Sequence, residues 1–144
     1  MIDPSKKKAL IAHIKACQWP KHREILLSPE MYFDGYDDDE CIICTNARTI
    51  SCSNFSHRLQ SLALLPEVAA IYIRFCDYDD ALEDEDCWIG SDSVYLVTSS
   101  SLGIVSEWFA DLFPTEVREE PDLADFPQIA QLPQGHRLVA VWWN

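Results

Sequence analysis

The chain has 144 residues, 48% of them apolar and 11% aromatic, enough to fill the core of one domain and too much for a disordered chain. Its 24 acidic side chains outnumber 11 basic ones and give a formal charge of −13, which would repel nucleic acid and anionic membrane surfaces. No apolar run approaches the roughly 20 residues of a bilayer span, and the opening Met1–Lys8 lacks the apolar core of an export signal; one cytoplasmic domain over 1–144, with its six cysteines reduced, is expected.

A first helix begins at Asp3-Pro4, with Asp as cap and Pro in the first turn. Leu10, Ile11, Ile14 and Cys17 then recur at helical spacing until Pro20 stops the run. Glu24–Phe33 reads as a strand or hairpin interrupted by Pro29, and Asp34-Gly35 as a turn. Cys41–Thr45 reads as a short buried strand. Ser53 caps a second helix with Phe55, Leu59, Leu62 and Ala63 on one face, ended by Pro66. Val68–Phe75 is a strand rich in sheet-forming residues. An acidic stretch, Asp77–Asp86, leads to a strand at Ser93–Ser99. A helix over Leu102–Phe113 follows, with Val105, Trp108, Phe109 and Leu112 on one face and Pro114 after it. Residues 118–136 carry three prolines and read as an ordered loop, and Arg137–Trp143 as a closing strand.

Two parts of this pattern resemble each other. Ile42–Asn46 is similar to Tyr95–Ser99, and Leu64–Val68 is similar to Leu112–Val117. Each half reads strand, turn, helix, Pro stop, strand. Two such units in tandem predict an α+β fold of the ferredoxin-like βαββαβ type, an antiparallel sheet with helices on one face. The N-terminal helix and an extra hairpin would be added to it. The adjacent Trp142 and Trp143 would then face opposite sides of the last strand. The open sheet face would need a cover.

Chemistry-bearing motifs are few. Cys41 and Cys44 are spaced as a CxxC, but no second pair of ligands follows at zinc spacing. The intervening Ile42-Ile43 suits a strand interior, not the helix start that activates a dithiol. None of His13, His22, His57 and His136 is placed beside a thiol by the sequence. Four glycines in the chain make a phosphate-cradling loop implausible. No catalytic residue, metal ligand or cofactor is therefore expected.

Charge is distributed unevenly. Residues 1–23 hold six basic side chains and one acid; the remainder holds five basic and 23 acidic ones. Two runs concentrate the acids: Asp34–Glu40, with five carboxylates in seven residues, and Asp77–Asp86, with seven in ten. Neither has the alternating ligands and central glycine of a calcium loop. Solvated hairpin loops are one reading. The sharper reading is a docking surface for a basic protein partner, built from Asp37, Asp38, Asp39, Glu40, Asp77, Asp79, Asp80, Glu83, Asp84, Glu85 and Asp86. Tyr36, Tyr78 and Trp88 flank these carboxylates as candidate anchors.

Trp88–Ser99, Trp108-Phe109, Pro114–Val117 and the terminal Val141-Trp142-Trp143, with the size and the acidic loops, resemble the small bacterial immunity proteins of polymorphic-toxin and contact-dependent inhibition systems. The resemblance implies a non-enzymatic cytoplasmic protein that binds and blocks a cognate toxin domain, often a cationic nuclease. It assigns no individual residue. Two alternatives stay open: a homodimeric scaffold or small-ligand domain using the open sheet face, and a small enzyme or metal protein using the cysteines with His57 or His136.

Overall fold

The computed structural model describes residues 1–17, 24–43, 50–129 and 131–144. Helix α1 (Pro4–Ala16) starts as its cap predicts: the Asp3 carboxylate accepts from the Ser5 and Lys6 amides. Lys7, Leu10, Ile11 and Ile14 are its buried stripe. The expected stop at Pro20 lies outside the described residues.

Among the described residues five strands form one sheet: β1 (Leu26–Leu27), β2 (Val68–Arg74), β3 (Ser93–Thr98), β4 (Glu116–Glu119) and β5 (Arg137–Trp142). Their order is β1-β2-β3-β5-β4, and every neighbouring pair is antiparallel. The fold is thus α+β, as expected.

The path through the sheet departs from a tandem βαββαβ. Its second half is a split βαβ unit. Helix α5 (Leu102–Phe109) carries the chain from β3 to β4, and β5 then enters between them. The first half is different. Cys41–Ile43 lie in no strand, although the Cys41 amide donates to the Ile50 carbonyl; Cys44–Asn46 fall outside the described residues. On its side away from β3, β2 pairs with the two-residue β1, an antiparallel neighbour, so among the described residues no crossover matches that of the second half. The interrupted hairpin expected at Glu24–Phe33 is β1 followed by helix α2 (Pro29–Phe33). Ser28 caps α2 by accepting from the Met31 amide, so Pro29 opens a helix where it was expected to break a strand.

Helix α3 (Cys52–Ala63) is capped by Ser51 and buries Cys52, Phe55, Leu59 and Leu62. A short helix, α4 (Asp79–Glu83), sits inside the second acidic run and buries Ala81. The helix after β3 tightens into a 3₁₀ turn at Ala110–Leu112, and Phe113 ends it in the left-handed region, with φ 53°. β4 opens the stretch expected to be loop.

One sheet face carries Ile71, Ile73, Val94, Leu96, Val139 and Val141 against the helices in the main core. The other face carries Tyr95, Val97, Leu138 and Ala140, and its cover comes from the chain itself: Phe126 and Ile129, in the proline-containing segment between β4 and β5, close a second core over it. The two terminal tryptophans divide between the faces. Trp143 is buried on the helix side, edge-on to Phe55 and Phe109, and its indole N–H donates to the Leu112 carbonyl at 2.8 Å. Trp142 lies on the second face, its indole donating to Asp92 at 3.2 Å.

Candidate functional site

The two acidic runs are distant in sequence and adjacent in space. Tyr36, from the first run, stacks on Trp88, which follows the second, with ring centroids 5.3 Å apart and planes 10° from parallel. The first half of α1 fits between the two segments. On one side the Asp3 amide donates to the Gly35 carbonyl at 2.8 Å, Lys6 pairs with Asp34 at 3.1 Å, and the Met1 ammonium pairs with Asp38 at 2.6 Å. Gly35 adopts φ +93°, and a Cβ there would stand 2.4 Å from Lys6 Cβ; only glycine lets the acidic turn come this close to the helix. On the other side Lys7 buries its stem and donates its ammonium to the Asp84 carbonyl at 2.8 Å.

The carboxylates and the aromatics separate cleanly. Asp37, Asp39, Glu40, Asp77, Asp79, Asp80, Glu83, Asp84, Glu85 and Asp86 are exposed, and Asp38 is half-buried. Among the described residues no ion pair engages Asp79, Asp80, Glu83, Glu85 or Asp86. The three candidate anchors are inside the core instead: Tyr36, Tyr78 and Trp88 are 5%, 8% and 2% exposed. The Tyr36 hydroxyl accepts from the Ile42 amide, and the Trp88 indole donates to the Tyr32 carbonyl at 3.0 Å. Their rings form the mounting of the acidic loops and offer no free face to a partner.

The exposed apolar element of this surface is one the sequence reading passed over. Leu82 of α4 is 58% exposed. It stands beside a groove of about 700 Å³ between α1 and α4, lined by Ile11, Ala12 and Ala81. Lys8 and Lys15 edge one side of the groove, Glu83 and Glu85 the other. α4, at five residues, is too short to show a helical period in the sequence.

Among the described residues the cysteines and histidines do not assemble into a centre. Cys41 and Cys52 are buried. The Cys52 thiol is pushed well up by its hydrogen bond with Cys41 and by burial. Burial, then the Asp92 charge, pushes Cys76 up to about 12. Thiols so placed are poor nucleophiles at neutral pH. Neither His57 nor His136 touches a described sulfur; His136 contacts the Gln134 carbonyl at 3.1 Å. The sole Cys–His contact among the described residues is an i, i+4 pair on α1, Cys17 Sγ to His13 Nε2 at 3.7 Å. Among the described residues no three His, Cys, Asp or Glu side chains are grouped to hold a metal ion. No described helix is long and apolar enough to cross a membrane.

An acidic α+β protein with two carboxylate runs mounted on one end is the class that fold and surface define. Residues 5–141 match the model of the Uncharacterized protein YfbO family, and the chain belongs to that family. No curated protein and no solved structure matches it.

Proposed function

We propose that the protein is a non-enzymatic binding protein of the immunity type, which neutralises a basic partner, a toxin domain, by occluding its cationic substrate-binding surface. The observation that carries this reading is the joining of the two acidic runs by the Tyr36–Trp88 stack. Two separate loops would each present a weak, screened charge. Mounted side by side on a rigid base, they act as one field source that steers a basic protein and selects it by complementarity. A self-repelling surface costs stability, and here part of that cost is offset by α1, whose Lys6 and Lys7 engage Asp34 and the Asp84 carbonyl.

The apolar contact of the complex belongs to Leu82 and the groove beside it, not to the buried aromatics. Carboxylates around the groove govern the rate of encounter, and the Leu82 side chain governs residence.

The test is retention of partner proteins from the host lysate by the tagged chain and by its quadruple variant Asp79→Lys, Asp80→Lys, Glu83→Lys, Asp84→Lys. All four side chains are exposed, and circular dichroism of the variant checks that the fold is kept. One stoichiometric basic protein, bound by the wild type, weakened by salt and lost by the variant, is the expected result. A partner held equally by both proteins, or retention of an acidic partner, overturns the reading.

A further inference from the structure

A half-enclosed cavity of about 190 Å³ opens on the second sheet face, away from the acidic runs. Strand alternation builds it. Tyr95 on β3, Ala140 on β5 and Arg118 on β4 stand in one cross-strand row. Trp142 and Arg74 follow on the same face, and Glu24 closes the edge. Its volume is below the roughly 300 Å³ at which sites for drug-sized ligands begin, so an occupant must be small.

Hydrogen bonding decides its chemistry. The carboxylates of Glu24, in the cavity, and Asp92, beside it, already hold donors. Both Glu24 oxygens take the Arg74 guanidinium, at 2.6 and 3.5 Å. Asp92 takes the Ser93 hydroxyl at 2.7 Å, Arg74 at 3.4 Å and the Trp142 indole at 3.2 Å. Donors are what remain. Tyr95 is 4% exposed, yet its hydroxyl has no hydrogen-bond partner among the described residues. Since no fully buried side-chain oxygen lacks a partner among the described residues, this hydroxyl opens to the cavity it lines. Arg118 engages Glu120 through Nε at 2.9 Å and Glu116 through Nη1 at 3.8 Å, which leaves Nη2 without a partner among the described residues. The lining therefore holds unmet donors, and Arg74 and Arg118 offset the Glu24 charge and part of that of the flanking Asp92, Glu116 and Glu120. Trp142, Ala140 and the Tyr95 ring supply a flat apolar wall.

We infer that this cavity is a binding site for a small monocarboxylate with a flat apolar body, its carboxylate accepting from the Tyr95 hydroxyl and the Arg118 guanidinium. A dianion is disfavoured, because Glu24 lines the cavity and Glu116 and Glu120 lie against Arg118. Burial, with the neighbouring Glu120 and Glu24 charges, holds the Tyr95 phenol up to about 12, so it stays a donor through the physiological range. The site is independent of the acidic surface, and either can be correct without the other.

Benzoate is the probe, and benzamide its uncharged counterpart of the same shape. The readout is the Trp142 indole N–H, which lines the site and is assigned in proton–nitrogen correlation spectra of the full chain by its absence in Trp142→Phe. Benzoate should shift this resonance saturably, and benzamide should bind more weakly. Tyr95→Phe removes only an unpartnered oxygen and should weaken benzoate about tenfold, the worth of one hydrogen bond to a charged group. Arg118→Gln, at an exposed side chain, should weaken it similarly. No saturable shift with benzoate, equal binding of benzamide, or undiminished binding by both variants overturns the proposal.

Discussion

Tyr36 and Trp88 stack face to face at 5.3 Å, 52 residues apart in sequence, and each carries an acidic segment beside it. Like charges brought together repel, and the work of holding them falls to this stack and to two hydrogen bonds below it. The Trp88 indole donates to the Tyr32 carbonyl at 3.0 Å, and the Tyr32 hydroxyl donates to the Ile89 carbonyl at 2.7 Å. Trp88→Phe keeps a ring but orphans the Tyr32 carbonyl, and should cost about 1–3 kcal/mol. Because the loosened segments repel, the loss should be greater at low ionic strength. Urea unfolding at two salt concentrations measures both effects; a salt-independent loss would detach the stack from the charge it is argued to hold.

Gly35 fixes how closely the first acidic turn approaches α1. Gly35→Ala forces a left-handed residue to carry a Cβ 2.4 Å from Lys6 Cβ. Backbone strain alone should cost about 1–3 kcal/mol, and the clash adds to it. Thermal unfolding checks the loss. The control is Gly135→Ala, which also has positive φ, 76°, but nothing within 4 Å of the added carbon, and should lose less.

Phe126 holds the proline-containing segment onto the second sheet face, its ring 5.2 Å from that of Tyr95. Phe126→Ala should cost about 3 kcal/mol and uncover Val97 and Leu138. Binding of a hydrophobic dye and mass by light scattering should both rise. Unchanged dye binding would mean that the segment stays in place without its anchor.

Arg58 ties α3 to α5 with two bonds to Asp111, at 2.9 and 2.8 Å, and one to the Trp108 carbonyl at 3.2 Å. The hydrogen bond from Arg58 holds the Asp111 carboxyl below its usual value of 3.8. A depressed folded-state value stabilises above the unfolded one and is lost as pH falls through the folded one. Arg58→Gln should therefore destabilise by about 1 kcal/mol at neutral pH. The gap between variant and wild type should narrow below pH ~4, a trend that urea midpoints across the acid range would register.

Elements whose signal is local were legible in the sequence. The Asp3 cap, the α3 stripe of Phe55, Leu59 and Leu62, and the strands β2, β3 and β5 follow from capping, period and β-branched runs. What depends on remote contacts was not. Cys41–Ile43 has the composition of a strand, yet the sheet position beside β2 goes to Leu26–Leu27, and composition cannot rank two candidates for one edge. β4 is missed because Glu116–Glu119 carries three charged side chains and owes its place to pairing with β5. At the acidic surface the carboxylates were found by counting. The orientation of Tyr36, Tyr78 and Trp88 was not, since an aromatic beside a charge looks the same whether it faces a partner or a core.

The strand that comes last along the chain, β5, lies in the interior of the sheet and not at its edge. Synthesis delivers β3 and β4 first, with a gap between them and with the apolar row Val94, Leu96 and its reverse-side neighbours Tyr95 and Val97 unpaired along one edge. Neither core can close until residues 137–142 have emerged, because Leu138 and Ala140 belong to one and Val139 and Val141 to the other. Each newly made molecule therefore passes through a stage with an open, strand-accepting edge. Until β5 is in place, the vulnerability of this chain is to capture by a neighbour's strand.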